Sequence, residues 1–563
     1  MVGRSGHDEL AHGAQSRPEV VKNLMLLMEN MAKLADAAMI SSGPAAHFKD
    51  MCNQCLPALK AFLKSKKDDL RAEEVARLIS IFGELNISED VQMLILRQHS
   101  WSLAALIEKF ADQVSELPCR DVANAMFAMG RYQLHVRKLL GPKEYADDLF
   151  AKILEKIEPM EDDMTPEDLS KVMNGIANMK YRDKGYLMRM VDYYLSRLHE
   201  FRLGDLARLI WGLARLELRY ADCQQFLDAV LPVVLENRSA FLHPEYVSDI
   251  VWAASRLEWQ GVDEMLGVLC KMADDGLEKF KGEEFAAFCL GLQKMRYYPG
   301  DDFLRRFLDT FAQKVPTFKP AMVTTCLNAV ASFGFYHQRL IDAVRDYCLL
   351  MERPLETRHY FDICWSFAIL SCMDADMFKW MAAQIGKLDP CSVRDLQRRQ
   401  FYQCLLDVHI LHPTIAQSVR LDPRFEEDCY KNWSENQALR RVAPKPVIEA
   451  FARLRNMGFI CTRGELIMGR RFAINSVRHR GLDQRFALEA DVTFRNAPNR
   501  LLGIQIWRRR VLRALGWGIM DLSQWRWSKM SSEERDVYLQ KKILYLVSEK
   551  KRRFTRATAK PGR

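Results

Sequence analysis

The feature that most constrains this chain is a motif that recurs eight times, an apolar helix studded with small residues that closes on a hydrophobic position before a polar or aromatic turn. It reads VARLISIFGELNI at 75–87, VANAMFAMGRYQL at 122–134, LSKVMNGIANMKY at 169–181 and LARLIWGLARLEL at 206–218. It continues as VSDIVWAASRLEW at 247–259, FAAFCLGLQKMRY at 285–297, VTTCLNAVASFGF at 323–335 and FDICWSFAILSCM at 361–373. From Met179 onward the closing positions Leu216, Leu257, Met295, Phe333 and Leu370 follow at intervals of 37, 41, 38, 38 and 37. A second amphipathic segment lies between successive closings, so each unit reads as two antiparallel helices. One such pair cannot bury its apolar face, whereas stacked pairs share a continuous core. The spacing therefore predicts an α-solenoid over residues 21–420, behind a flexible segment at 1–20. Gly175, Gly212, Ala253 and Ala331 fall where a first helix would press on its neighbour. Pro166, Pro244 and Pro320 stand at the start of first helices, where a missing amide costs nothing.

At 563 residues the chain is too long for one core, and no run of eighteen apolar residues interrupts it, which argues against a helical membrane span. Its fourteen cysteines are scattered among apolar neighbours, as at Cys289, Cys326 and Cys364, and imply a reduced compartment. Cys52 and Cys55 have the spacing of a zinc knuckle, but no second pair completes four ligands, so no metal and no cofactor are expected. The net charge of +9 is unevenly divided. Residues 441–563 hold 28 Lys and Arg against 10 Asp and Glu, a net +18, which leaves −9 for the rest. A polyanion would be drawn to the C-terminal part, and the two parts are expected to face different partners.

Within the array, Lys171, Asn174, Arg208 and Asp249 interrupt the apolar pattern of the first helices and are the candidates for contacting a ligand. Trp211, Trp252 and Trp365 sit amid apolar residues at helical spacing, which favours core filling over base stacking. The period and the tryptophan followed by small and apolar residues resemble the octotricopeptide and heptatricopeptide repeats of organellar RNA-binding proteins.

A polar, proline-bearing stretch at 421–445 reads as a linker. Beyond it, 446–550 reads α, β, β, α, β, α, from PVIEAFARLRNMGF through FAINSV, FALEADVTF, LLGIQIWRRRVLRALGW and GIMDLS to a final helix, with 551–563 as a frayed basic tail. The run FALEADVTFRNAPNRLLGIQIWRRRVLRALGWGIMDLSQWRWSKM, followed by YLQKKI, resembles the RAP domain over about a fifth of the chain. That resemblance implies a small α/β fold related to restriction endonucleases. Such nucleases hold a divalent metal between carboxylates of neighbouring strands with a lysine beside them. Here Asn475 stands where the first carboxylate is expected, and Glu489 and Asp491 share a strand face without the customary lysine. A nuclease is therefore disfavoured, and pairing of Glu489 and Asp491 with nearby arginines is the plainer reading.

Arg508, Arg509, Arg510 and Arg513 fall within two helical turns and form the expected phosphate site, since the guanidinium fork suits bidentate contact. Trp525 and Trp527 alternate as in an extended segment, with Trp527 expected in the core and Trp525 free to stack. Lys541 and Lys542 open the basic tail and complete the RNA-binding candidates. The resemblance implies a mitochondrial or plastid protein, with the mitochondrion taken first, that binds single-stranded RNA in processing, stability or translation, and the degenerate acidic and lysine pattern adds the expectation that it does so without catalysis. A structural component of the mitochondrial ribosome holding rRNA, and an RNA endonuclease, are the alternatives. Ribosomal or other organellar proteins would meet the acidic array, and no membrane is involved. The N-terminus carries Asp8 and Glu9 and lacks a basic amphipathic helix, so a transit peptide is not evident.

Overall fold

A computed structural model describes residues 70–85, 100–132, 140–237, 243–351, 355–439, 443–469, 471–479 and 485–558, with scattered positions between 26 and 64 and side chains as far as 548. Cys52, Cys55 and the segment 1–20 lie outside the described residues. The chain divides into two compact units, Met1–Val262 and Asp263–Arg563.

The first unit alternates first and second helices: α1 (Ala72–Leu85), α2 (Ser100–Gln113), α3 (Cys119–Arg131), α4 (Lys143–Ile157), α5 (Pro166–Met179), α6 (Lys184–Ser196), α7 (Leu203–Arg215), α8 (Gln224–Glu236) and α9 (Pro244–Leu257). The odd-numbered helices pack side by side in sequence and the even-numbered ones form a second layer. The small residues set the spacing, because a Cβ on Gly175 would stand 2.4 Å from the Met126 carbonyl oxygen. Pro166 and Pro244 occupy the first turns of α5 and α9, as expected.

The second unit continues the pattern with α10 (Asp263–Asp275), α11 (Gly282–Met295), α12 (Asp301–Lys314), α13 (Pro320–Phe333), α14 (Gln338–Leu350), α15 (Thr357–Leu370), α16 (Ala375–Ile385), α17 (Asp395–Leu411) and α18 (Pro423–Leu439). Helices α11, α13, α15, α17 and α18 pack in that order. The expected linker is thus largely helix α18. It stays packed because Trp433 and Gln437 reach the following domain: the Trp433 indole donates to the Arg471 carbonyl at 2.6 Å, and the Gln437 amide oxygen accepts from the Ala473 amide at 3.3 Å.

The C-terminal domain opens with α19 (Lys445–Asn456) and holds a sheet ordered β1 (Ile460–Ile467), β2 (Phe472–Arg478), β3 (Arg485–Ala490) and β4 (Gly518–Leu522). The first two pairings are antiparallel, and β3 runs parallel to β4, joined by α20 (Gly503–Ala514). Strand β1 is not predicted by the sequence pattern, because it carries charges and a bulge between Thr462 and Glu465 that break its alternation. One sheet face packs Val477, Leu488 and Met520 against α19 and α22 (Ser532–Thr558), and α20 covers the other. The tryptophan pair lies on a short helix, α21 (Gln524–Lys529), rather than in an extended segment, because the Ser523 hydroxyl caps it. The backbone of α22 stays helical to Thr558, so the expected frayed tail begins later than 551. Among the described residues no helix is long and apolar enough to cross a membrane, and the described cysteines are free thiols.

Candidate nucleic-acid interface

Side chains alternate along β3, so with Leu488 in the core Glu489 points to the opposite face, where α20 lies. Arg508 grips Glu489 through two bonds of 2.8 and 3.1 Å and donates to the Ala473 carbonyl at 2.5 Å. Arg509, itself buried, pairs with Asp491, which lies one residue beyond the end of β3. Burial raises the Asp491 carboxyl above its ordinary range, and Arg509 offsets part of that rise. Asp521 is the cross-strand partner of Glu489 and binds Lys542 of α22 at 2.8 Å. Burial works against ionisation of Asp521, yet Lys542 leaves its carboxyl below the usual range. Three carboxylates are thus matched by three cations beside the parallel strands.

Asn475 does not join them. It alternates with Val477 on the α19 and α22 side of the sheet, and its amide oxygen faces the Gly464 amide at 3.4 Å across the β1 bulge. The expected nuclease-like trio of Asn475, Glu489 and Asp491 is therefore split between two faces. Asp521 stands outside the expected acidic set, and Lys542, expected to meet RNA, is held by it; their pairing joins β4 to a lysine 21 residues on, a contact with no local signature. Among the described residues no three of Asp, Glu, His and Cys converge in a way that would hold a metal ion.

Other residues of α20 face the array helices of the same unit. Arg510 donates to the Ala368 carbonyl at 2.6 Å and to Asp407 at 3.1 Å, and the Trp507 indole donates to the same carboxylate at 3.0 Å. Asp407 is completely buried on α17, and burial raises its carboxyl despite the pull of Arg510. Gly503 lies so close to α13 that a Cβ would stand 1.8 Å from the Ala331 carbonyl oxygen. The preceding loop docks as well. Asn496 exchanges two 2.8 Å bonds with the backbone of Tyr298, Arg500 pairs with Asp301 at 2.6 Å, and Phe494 packs 5.1 Å from the Tyr298 ring.

The expected arginine surface must be corrected accordingly. Arg508, Arg509 and Arg510 clamp the sheet and the array, because buried carboxylates and carbonyls hold their guanidinium groups; Arg513 alone of the four is exposed. The idea that the acidic array and the basic domain face different partners also changes, since array residues Asp263, Asp301 and Asp407 pair with Arg495, Arg500 and Arg510. Exposed cations do remain: Arg463, Arg513, Arg526, Lys529 and Lys541. Trp525 is 47% exposed with the Lys529 ammonium 4.0 Å over its ring, while Trp527 is buried and donates to Glu449 at 2.9 Å.

On the first helices of the array the polar candidates fall on one face. Lys171, Asn174 and Asn178 lie three and four residues apart on α5, as do Arg208, Trp211 and Arg215 on α7. Lys171 bonds Asn124 of α3 at 3.0 Å and Glu167 at 2.8 Å, and Asn174 accepts from Asn178 at 2.8 Å. Arg208 binds Asp205 at 3.3 Å and the Tyr246 hydroxyl of α9, near the partly buried Asp249. Trp211 and Trp252, expected in the core, are half-buried on this same face, with ring centroids 6.1 Å apart. Trp365 of the second unit is half-buried too. Close approach of the small residues leaves no room for an indole between helices, so each ring emerges on the first-helix face of its own unit.

Residues 486–542 match the RAP domain family. Over 396 residues the chain is 20% identical to a chloroplastic RAP domain-containing protein of rice, Oryza sativa subsp. japonica, an alignment covering 68% of this chain and 59% of that protein. The chain thus spans about three-fifths of the length of the relative it matches.

Proposed function

We propose that this chain, a RAP domain carried behind a helical array, binds single-stranded RNA in an organelle and acts without catalysis in RNA processing, stability or translation. The observation that carries the reading is the ladder of half-buried amides, guanidinium groups and indoles at one register of successive first helices. Unpaired bases offer such a surface flat faces to stack and edges to bond, which a duplex conceals. Exposed Arg513, Arg526, Lys529 and Lys541 supply charge for the phosphate backbone. The rice relative is described as chloroplastic, and family resemblance points to mitochondria as well, so an organelle is the common ground.

A non-catalytic role is supported by the pairing of Glu489, Asp491 and Asp521 with Arg508, Arg509 and Lys542, which leaves those carboxylates committed to cations. Crosslinking in cells followed by sequencing tests the proposal. Enrichment of a few transcripts at defined sites is the expected result. Ribosomal RNA alone would make the protein a ribosomal component instead, and no enrichment would overturn RNA binding. Incubating the purified chain and RNA with magnesium or manganese should give no cleavage. Cutting that disappears in Asp521→Ala would establish the enzyme.

A further inference from the structure

A cavity of about 460 Å³ opens on the first-helix face of the Asp263–Arg563 unit, a size typical of small-ligand sites. Gln293 of α11, Asn328 of α13, Trp365 of α15, Arg399 and Gln403 of α17 and Trp433 of α18 line it, and Leu502 and Ile504 at the start of α20 close one side. Several of its polar atoms are already satisfied. Gln293 donates to Asn328 at 3.2 Å and to the Ser332 hydroxyl at 2.6 Å, and Gln400 donates to Asp362 at 3.0 Å.

Gln403 is different. It is 5% exposed, and its amide oxygen accepts from the Trp365 indole at 3.1 Å. An indole N–H can only donate, so this bond fixes which way round the amide lies. The Nε2 group is left buried with no partner among the described residues. A buried donor in that state calls for an acceptor from outside the chain. The cavity wall contributes two indoles and no carboxylate, and Arg296 and Arg399 bring positive charge to it. A flat, acceptor-bearing group attached to an anion satisfies each of these demands.

We infer that this cavity receives one unpaired nucleobase of a bound RNA strand, whose carbonyl or ring nitrogen accepts from Gln403 Nε2 while the adjoining phosphates meet Arg296 and Arg399. The inference rests on the RNA-binding reading above and names one of its sites. A strand, rather than a free nucleotide, is favoured because the cavity is open to the same helix face that carries the amide pair Gln293–Asn328 and the amide–carboxylate pair Gln400–Asp362.

The test measures fluorescence anisotropy of the full chain with labelled single-stranded ribo-oligomers and with abasic oligomers of equal length. Gln403→Met keeps side-chain volume and removes the donor, together with the oxygen that holds the Trp365 indole. It should weaken binding of the base-bearing oligomer about tenfold, the loss of one well-made hydrogen bond, and leave abasic affinity and salt dependence unchanged. In the unmodified chain, 4-thiouridine in the oligomer should crosslink to peptides from α17 or α18. If the unmodified chain binds RNA, yet Gln403→Met binds equally well and crosslinks map elsewhere, the cavity assignment fails while the RNA reading stands. If the unmodified chain binds no RNA, the reading itself fails first. Should Gln403→Met not melt cooperatively by circular dichroism, the crosslink map of the unmodified chain decides. Uridine or guanosine monophosphate that raises the melting temperature of the unmodified chain without displacing RNA would make the occupant a free nucleotide and overturn the strand.

Discussion

Gly503 shows how a single missing side chain can join two parts of a molecule. It was legible as part of a family-like LLG run, but its physical reason is the Ala331 carbonyl on a helix far away in sequence, 1.8 Å from any Cβ placed there. Backbone cannot yield as a flexible side chain would, so Gly503→Ala should destabilise the unit by about 3 kcal/mol, seen as a lower thermal midpoint. Asp407 makes a similar link through charge. Asp407→Ala would strand the Trp507 indole and Arg510 in a buried site at a cost of about 3–5 kcal/mol in denaturant unfolding. Asp407→Asn is milder and depends on pH. Burial raises the folded carboxyl above its unfolded value, so the native aspartate gains stability as pH falls toward the ordinary value of about 3.9. The asparagine variant should therefore compare best with the native chain at pH 7 and lose ground in acid. Asp301 behaves oppositely. The Tyr298 hydroxyl and Arg500 lower its carboxyl, so its contribution persists above the ordinary value and fades only below it.

The helices explain why the repeat was readable at all. Each first helix from α5 to α15 ends in a left-handed residue one position after its closing hydrophobic: Lys180, Glu217, Glu258, Arg296, Gly334 and Ser371, with φ between 49° and 67°. The cap folds the chain back, as when the Tyr297 amide bonds the Leu292 carbonyl at 3.0 Å, and a hydrophobic residue follows to cover the turn. That geometry fixes the spacing of apolar positions, which is what the sequence displays. Only Gly334 has the residue type that adopts this conformation freely. Exposed Ser371→Gly should accordingly stabilise its unit by about 1 kcal/mol, measurable as a higher denaturant midpoint at unchanged slope. Helix α20 teaches the reverse lesson. Its arginines were legible as a charged run, but their direction depends on Glu489, Asp491 and Asp407, which no local spacing reveals. Arg510→Ala should lower thermal stability, whereas Arg513→Ala should leave folding intact and lower the salt slope of RNA binding by about 0.7, one phosphate contact.

At the scale of the molecule, the alternation of helix pairs and the switch to a basic α/β domain could both be read from the sequence, but the boundary between them could not. The polarity of residues 421–445 suggests a tether, yet α18 spans most of them and is bonded through Trp433 to Arg471, just ahead of β2, and through Gln437 to Ala473 within it. Within the RAP match, Phe494, Asn496, Arg500, Trp507 and Arg510 turn toward Tyr298 and Asp301 at the start of α12 and toward α15 and α17. A fragment of residues 446–563 would expose Phe494 and Trp507 and leave Arg500 and Arg510 without Asp301 and Asp407. It should melt without a cooperative transition and bind a hydrophobic dye, whereas a fragment of residues 263–563 should unfold cooperatively and bind little. Charge separates the two fragments in the same direction. The +18 counted over the last 123 residues overstates what RNA can feel, because three of those cations are matched by array carboxylates inside the unit. The shorter fragment, freed of Asp263, Asp301 and Asp407, should hold RNA at low ionic strength with a steeper salt dependence than the longer one. Equal slopes together with a cooperative melt of the shorter fragment would mean that the domain stands alone and that its contacts with the array helices are dispensable.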